Sequence, residues 1–315
     1  MPDHDPDLSA SSTLASRPGG RRNRDRLRRR GHGPRRRIRP VAAIPTLLTL
    51  GNLVCGFAAI YYAMKEVGPT QIFGWSSLTV AGLLIFVGMF FDAIDGSVAR
   101  LAKATSTLGG QLDSLADMVS FGVAPAFMML RLVSHYYGAE GVEQILPPYT
   151  DHFYGRVIWA IAALYVCCTA LRLARFHAET PSHDEEDHRN FKGLPSPGAA
   201  GLVASLIVLH QHLLFRHDGL PDTPFARVSA YGLPLVTLFA AILMVSTVRY
   251  PHFANRVLRT RRDFAGLVRL LIPVILGVFW LQITIAVGFT LYALLGPARA
   301  LWLLRRQADA PAGPA

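Results

Sequence analysis

Apolar residues in this chain do not alternate or recur at single faces; they come in long uninterrupted runs. Such runs centre on residues 46–64, 76–91, 118–133, 157–171, 198–214, 230–247 and 267–296, each nearly free of acids and bases. A membrane-crossing helix needs roughly 20 mostly apolar residues, and the flanks of the shorter runs extend them to that length. Barrel strands would show about 10 residues of alternating character instead. The pattern predicts an all-α, polytopic membrane protein of six to eight transmembrane helices. Expected spans are 45–64, 75–100, 106–132, 155–173, 198–214 and 228–248. The run 267–296 is long for one span, and Pro273 and Gln282 suggest a hairpin of two short helices there.

Composition agrees: 51% of residues are hydrophobic, 17% are charged and the mean hydropathy is +0.30, against about 25% charged in a soluble domain. The three cysteines, Cys55, Cys167 and Cys168, all fall in apolar runs without metal-ligand spacing; no disulfide is expected. Charge divides the chain further. Residues 17–39 hold 12 arginines against the single acid Asp25, which accounts for the whole net charge of +11. Basic stripes can bind nucleic acid, but this one directly precedes the first span. It reads as a disordered cytoplasmic tail, residues 1–41, that touches anionic lipid. Residues 42–306 form the membrane domain and 307–315 a second disordered tail. With the N-terminus in the cytoplasm, the loops 100–106, 172–197 and 249–266 are cytoplasmic too, and they hold most of the loop arginines and lysines, as the positive-inside rule requires.

The chemistry concentrates at the cytoplasmic ends of the second and third spans. Asp92, Asp95, Gly96 and Ala99 fall at i, i+3, i+4 and i+7; Gly109, Asp113 and Asp117 fall at i, i+4 and i+8. Each set shares one helix face, and a turn between antiparallel helices lets the two faces meet. A carboxylate at membrane depth costs about 2.5–3.5 kcal/mol on insertion scales, so such residues usually face a cavity and act. Four of them repel one another, and bound cations relieve this. Oxygen ligands suit Mg²⁺, Mn²⁺ or Ca²⁺, and paired ions are a common device for phosphoryl displacement. Gly96, Ala99 and Gly109 leave room for a bulky ligand near the backbone, and Arg100 supplies a cation for phosphate. The acids His183–His188 flank read as a solvated loop.

The stretch DAIDGSVAR from Asp92, eight further residues, and GGQLDSLAD from Gly109 resemble the signature of the CDP-alcohol phosphotransferase family at every signature position. Further segments resemble the bacterial integral-membrane CDP-diacylglycerol–serine phosphatidyltransferases within it: TLGNLVCG from Thr49, SLADMVSFGVAP from Ser114, LRLARF from Leu171, FKGLPSP from Phe191 and MVSTVRYPHF from Met244. Thr46 and His177 stand where that group leads one to expect asparagine. The resemblance implies that fold, two divalent metals (Mg²⁺ or Mn²⁺) on Asp92, Asp95, Asp113 and Asp117, and Asp117 as general base. It further implies CDP of the donor along Gly96, Ala99 and Arg100; Thr49 and Asn52 of the first span are expected as further donor contacts. The expected reaction is CDP-diacylglycerol plus L-serine giving phosphatidylserine and CMP. Arg172, Arg175, Lys192 and Ser196 at the second polar loop are expected to hold the serine. Another acceptor, glycerol 3-phosphate or inositol, stays open, as does a homodimer. A cation transporter is a distant alternative, since it would place acids near the midplane on several spans. Nucleic acid is not expected as a partner, and the expected location is the bacterial cytoplasmic membrane.

Overall fold

The computed structural model describes residues 43–101, 107–137, 145, 147–148, 153–179, 190–215, 223–251, 277 and 280–308; the N-terminal tail lies outside them. Among these residues, eight α-helices and one short ribbon follow in order. They are α1 (Ala43–Met64), α2 (Ser77–Leu101), α3 (Thr107–Asp117), α4 (Ala124–Tyr137), α5 (Phe153–Glu179), β1 (Asn190–Lys192), α6 (Ser196–Leu214), α7 (Pro224–Val245), β2 (Arg249–Pro251) and α8 (Leu281–Ala308). A π-helical segment, Met118–Val123, joins α3 to α4, so that Leu108–Tyr137 makes one span. Seven helices among the described residues are long and apolar enough to cross a membrane, and the protein is a polytopic helical membrane protein.

Local chemistry sets the boundaries. Ser76 caps α2, its Oγ accepting the Thr79 N–H at 3.1 Å, and Thr223 caps α7 by accepting the Ala226 N–H at 3.2 Å. Pro197 and Pro224 occupy first turns, where a missing N–H costs nothing. Pro125 sits in α4 and cannot donate to the carbonyl four residues earlier, at Phe121. The Tyr165 hydroxyl of α5 donates to that carbonyl at 3.1 Å. From the other side, the Ser120 hydroxyl donates to the Asn52 carbonyl of α1 at 2.9 Å. The widened turn is thus held by α1 and α5.

Helix α1 packs along α2, and it also touches α3, α4 and the π segment; α6 lies against α2, α7 and α8, and α5 against α7. Ala59, Leu78, Ile85, Met128, Tyr165 and Val203 are buried in the core. Phe57, Phe90, Leu115, Val228, Leu235 and Leu291 are exposed on the outside, the surface that meets lipid in a protein of this class. Arg131 is buried and its Nε donates to the Lys65 carbonyl at 3.0 Å, just past the end of α1, where the helix dipole favours a cation.

The expected spans match α1, α2, α6 and α7 within a few residues, and the third gains the π segment. Helix α5 runs to Glu179, beyond the expected 173, which carries Arg175 into the helix. The first part of the expected hairpin in 267–296 lies outside the described residues apart from Gly277; in the second part Leu281–Ala308 is one helix. A single glutamine in an apolar run does not break a helix, and Gln282 stands in its first turn. Pro297 is accommodated within α8, while Pro273 lies outside the described residues. The ribbon was not expected. Phe191 pairs with Tyr250 and Lys192 with Arg249, antiparallel. Gly193 makes its exit: its φ is +85°, and a Cβ there would lie 2.3 Å from the Met244 carbonyl oxygen.

Candidate active site

The end of α2, the start of α3 and the end of α5 meet at one end of the bundle. There the i, i+3 spacing of Asp92 and Asp95 on α2 and the facing Asp113 of α3 bring three carboxylates together: each offers an oxygen within 4.8 Å of the others. Asp95 is 5% exposed. The Oδ1 of Asp113 is buried and has no hydrogen-bond partner among the described residues. A set of oxygen donors this close, with an acceptor left unsatisfied, could hold a hard divalent cation.

Asp117 stands one turn further along α3 and is 7% exposed. It lies outside the group of three, and the charges of Asp92 and Asp113 act on it. Its Oδ1 accepts a hydrogen bond from Asn52 Nδ2 at 3.1 Å. Thr49, one turn earlier on α1, donates to Asp95 Oδ2 at 2.8 Å and shares that hydroxyl with the Pro45 carbonyl at 3.0 Å. Thr49 and Asn52, expected as donor contacts, here hydrogen-bond carboxylates of the two acidic helices. Their i, i+3 spacing in an otherwise apolar run was the signal for it. Gly88 of α2 makes the approach possible, since a Cβ there would lie 2.8 Å from Asn52 Oδ1.

The last turns of α5 form the opposite wall. His177 stands over α3, with both ring nitrogens 3.4 Å from Ser114 Oγ and Nδ1 3.1 Å from the Leu173 carbonyl. It lies close enough to interact electrostatically with Asp113. The sequence marked His177 only as a departure; its place beside the acids comes from the extra helical turns of α5. Arg172, one turn deeper, interacts electrostatically with Asp117, Tyr292 of α8 and Arg175. Gly96 and Gly109 are half-buried on their expected helices. Ser196 is buried in the first turn of α6. Of Ala99, Arg100 and Lys192 the structure describes the backbone alone: the first two continue α2 past the acids, and Lys192 ends β1. The loop 183–188 lies outside the described residues.

Comparison with known proteins bears on this site. The family model for CDP-alcohol phosphatidyltransferase matches residues 42–249, which contain all four aspartates. A CDP-diacylglycerol–serine O-phosphatidyltransferase of Helicobacter pylori is 32% identical over 216 residues, 69% of this chain and 75% of its own length. The enzyme of the same name from Bacillus subtilis is 30% identical over 67% of this chain and 90% of its own. An archaetidylserine synthase of Methanothermobacter thermautotrophicus is 28% identical over 69% of this chain and 73% of its own.

Proposed function

The chain belongs to the CDP-alcohol phosphatidyltransferase family, and on that premise we propose that it transfers the phosphatidyl group of CDP-diacylglycerol to L-serine, giving phosphatidylserine and CMP. The relatives from Helicobacter and Bacillus carry that activity in their names, and the archaeal one is named for a serine lipid of the same kind. The convergence of Asp92, Asp95 and Asp113 carries the reading. These carboxylates would serve as hard-ion ligands at one end of the bundle, where a lipid head group can enter while its acyl chains remain in the bilayer.

Asp92, Asp95 and Asp113, with Asp117, would hold two divalent cations, Mg²⁺ or Mn²⁺. Held there, such ions would neutralise the charge of the donor's pyrophosphate. The protein's own groups do the rest. Thr49 fixes the orientation of Asp95, and Asn52 that of Asp117. Asp117 takes the proton from the serine hydroxyl as general base. The serine oxygen forms a bond to the phosphorus that bears diacylglycerol. The bond from that phosphorus to the bridging oxygen breaks, and CMP leaves with its electron pair. Gly96, Ala99 and Arg100 lie along CDP; Arg172, Arg175, Lys192 and Ser196 serve the amino-acid acceptor. The site would face the cytoplasm at the bacterial cytoplasmic membrane, where the basic 1–39 segment would adhere to anionic lipid.

The test is CMP release by the purified protein with CDP-diacylglycerol, Mg²⁺ or Mn²⁺, and a panel of serine, glycerol 3-phosphate and inositol. Serine alone should support turnover, EDTA should abolish it, and Asp92→Asn, Asp95→Asn and Asp113→Asn should each be inactive though inserted and folded. Turnover with glycerol 3-phosphate or inositol but not serine would overturn the acceptor. Full activity in metal-free protein would overturn the role given to the aspartates.

A further inference from the structure

The acids stand near the end of α2, and a separate recess opens beside its start. A cavity of about 260 Å³ lies between the first turns of α2, the last turns of α6 and the first turn of α8. Thr79 on its wall and Asp92 are 13 positions apart on one helix, about 20 Å of axial rise. The cavity therefore belongs to the opposite end of the bundle from the carboxylates.

Its wall is graded in polarity. Ser76, Thr79 and Gln211 line the part nearest the helix ends, and Leu83, Phe86 and Ile285 lie one to two turns further in. Phe86 stacks on Phe289 of α8 with centroids 5.8 Å apart, which ties the two helices together below the cavity. Ser205, deeper on α6, donates its hydroxyl to the Leu202 carbonyl at 3.1 Å. The Ser76 and Thr79 hydroxyls are hydrogen-bonded to each other at 2.8 Å. Gln211 is different. It is 1% exposed, its Nε2 lies 3.4 Å from His210 Nδ1, and its Oε1 has no hydrogen-bond partner among the described residues. A buried acceptor without a donor is costly. Among the described residues the lining holds no lysine, arginine, aspartate or glutamate.

We propose that this cavity binds a bilayer lipid of the leaflet opposite the acids. The head group donates an O–H or N–H to the Gln211 amide, and an acyl chain passes Leu83 to reach Phe86. The change from hydroxyls and amide to aliphatic and aromatic walls matches the polarity of such an amphiphile. A wall without Arg or Lys does not suit a head group of net negative charge, whose phosphate wants a cation. The ligand class is a lipid without net charge that carries a donor, as a diacylglycerol hydroxyl or a phosphatidylethanolamine ammonium does.

The test is lipid retention. Purified full-length protein in detergent is incubated with dioleoyl phosphatidylethanolamine, dioleoylglycerol, dioleoyl phosphatidylcholine or dioleoyl phosphatidylglycerol, and bound lipid is counted by native mass spectrometry. One molecule of the ethanolamine lipid or of the diacylglycerol should be retained at least about fivefold better than phosphatidylcholine, which has no donor, and than phosphatidylglycerol, which carries net charge. Whichever of the first two is retained identifies the source of the donor. Gln211→Leu, close in shape, should lower that retention roughly fivefold, the effect of one lost hydrogen bond. Ile285→Trp, which fills the cavity from α8, should abolish it. Equal retention of phosphatidylcholine or phosphatidylglycerol, retention of none of the four, or wild-type retention by either variant would overturn the proposal. Should Gln211→Leu not elute as a folded species, Ile285→Trp decides alone.

Discussion

Replacing Asn52 with leucine should impair catalysis without unfolding the protein. Asn52 is wholly buried on α1, and its Nδ2 donates to Asp117 Oδ1 at 3.1 Å. Its Oδ1 has no partner among the described residues. Leucine has nearly the same shape, so it fills the space beside Gly88 and leaves no cavity. The change removes one hydrogen bond to a carboxylate, a contribution of about 1.5–3 kcal/mol. It also removes an unsatisfied buried oxygen, which offsets part of the loss in the folded state. Stability should therefore change little. Asp117, no longer held, should lose its alignment with the serine hydroxyl. If the whole hydrogen bond is needed at the transition state, kcat/KM falls by roughly 10- to 150-fold. The measurement is steady-state CMP release, with thermal unfolding in detergent as the control. Wild-type kcat/KM in a well-folded Asn52→Leu protein would refute the claim that α1 orients the base. A large fall in unfolding temperature would show instead that the contact is chiefly structural.

Two further outcomes follow from the site and the ribbon. Arg175→Ala or Lys192→Ala should raise the KM for serine more than that for CDP-diacylglycerol, whereas Arg100→Ala should chiefly weaken the donor; separate titrations decide, and the reverse pattern would assign the loop to the nucleotide. Gly193→Ala should destabilise the protein by about 1–3 kcal/mol, because alanine is strained at φ +85° and its Cβ meets the Met244 carbonyl oxygen; an unchanged unfolding temperature would contradict this.

Apolar run length sufficed to locate most spans, and helical spacing sufficed to bring Asp92, Asp95 and Asp113 together, because both are local properties. What escaped was set by contacts between distant segments. The π segment falls in a stretch apolar on every side, where periodicity has nothing to register; Pro125 was its only local trace. The ribbon is three residues per strand, and its partners lie about sixty positions apart, too short and too remote for a period of two to show. Thr49 and Asn52 were visible as polar residues in a span, yet their carboxylate partners depend on the crossing of α1 with α2 and α3. His177 came into the site through the length of α5, which the polar loop after it concealed.

The close seam between α1 and the π segment has a mechanical consequence. A Cβ at Gly56 would lie 2.3 Å from Ser120 Oγ and 2.7 Å from its Cα, so α1 has no clearance to move inward there, and the Ser120–Asn52 hydrogen bond resists movement along it. A slip of one residue, about 1.5 Å of axial travel, would draw Thr49 off Asp95 and Asn52 off Asp117 together. When bilayer thickness changes, helices respond by tilting, and these three must tilt as a block. The carboxylates then keep their mutual spacing while the whole cluster changes its height relative to the lipid head groups. Membrane thickness would thus act on how the donor reaches the site, and leave the geometry of the acids themselves unchanged.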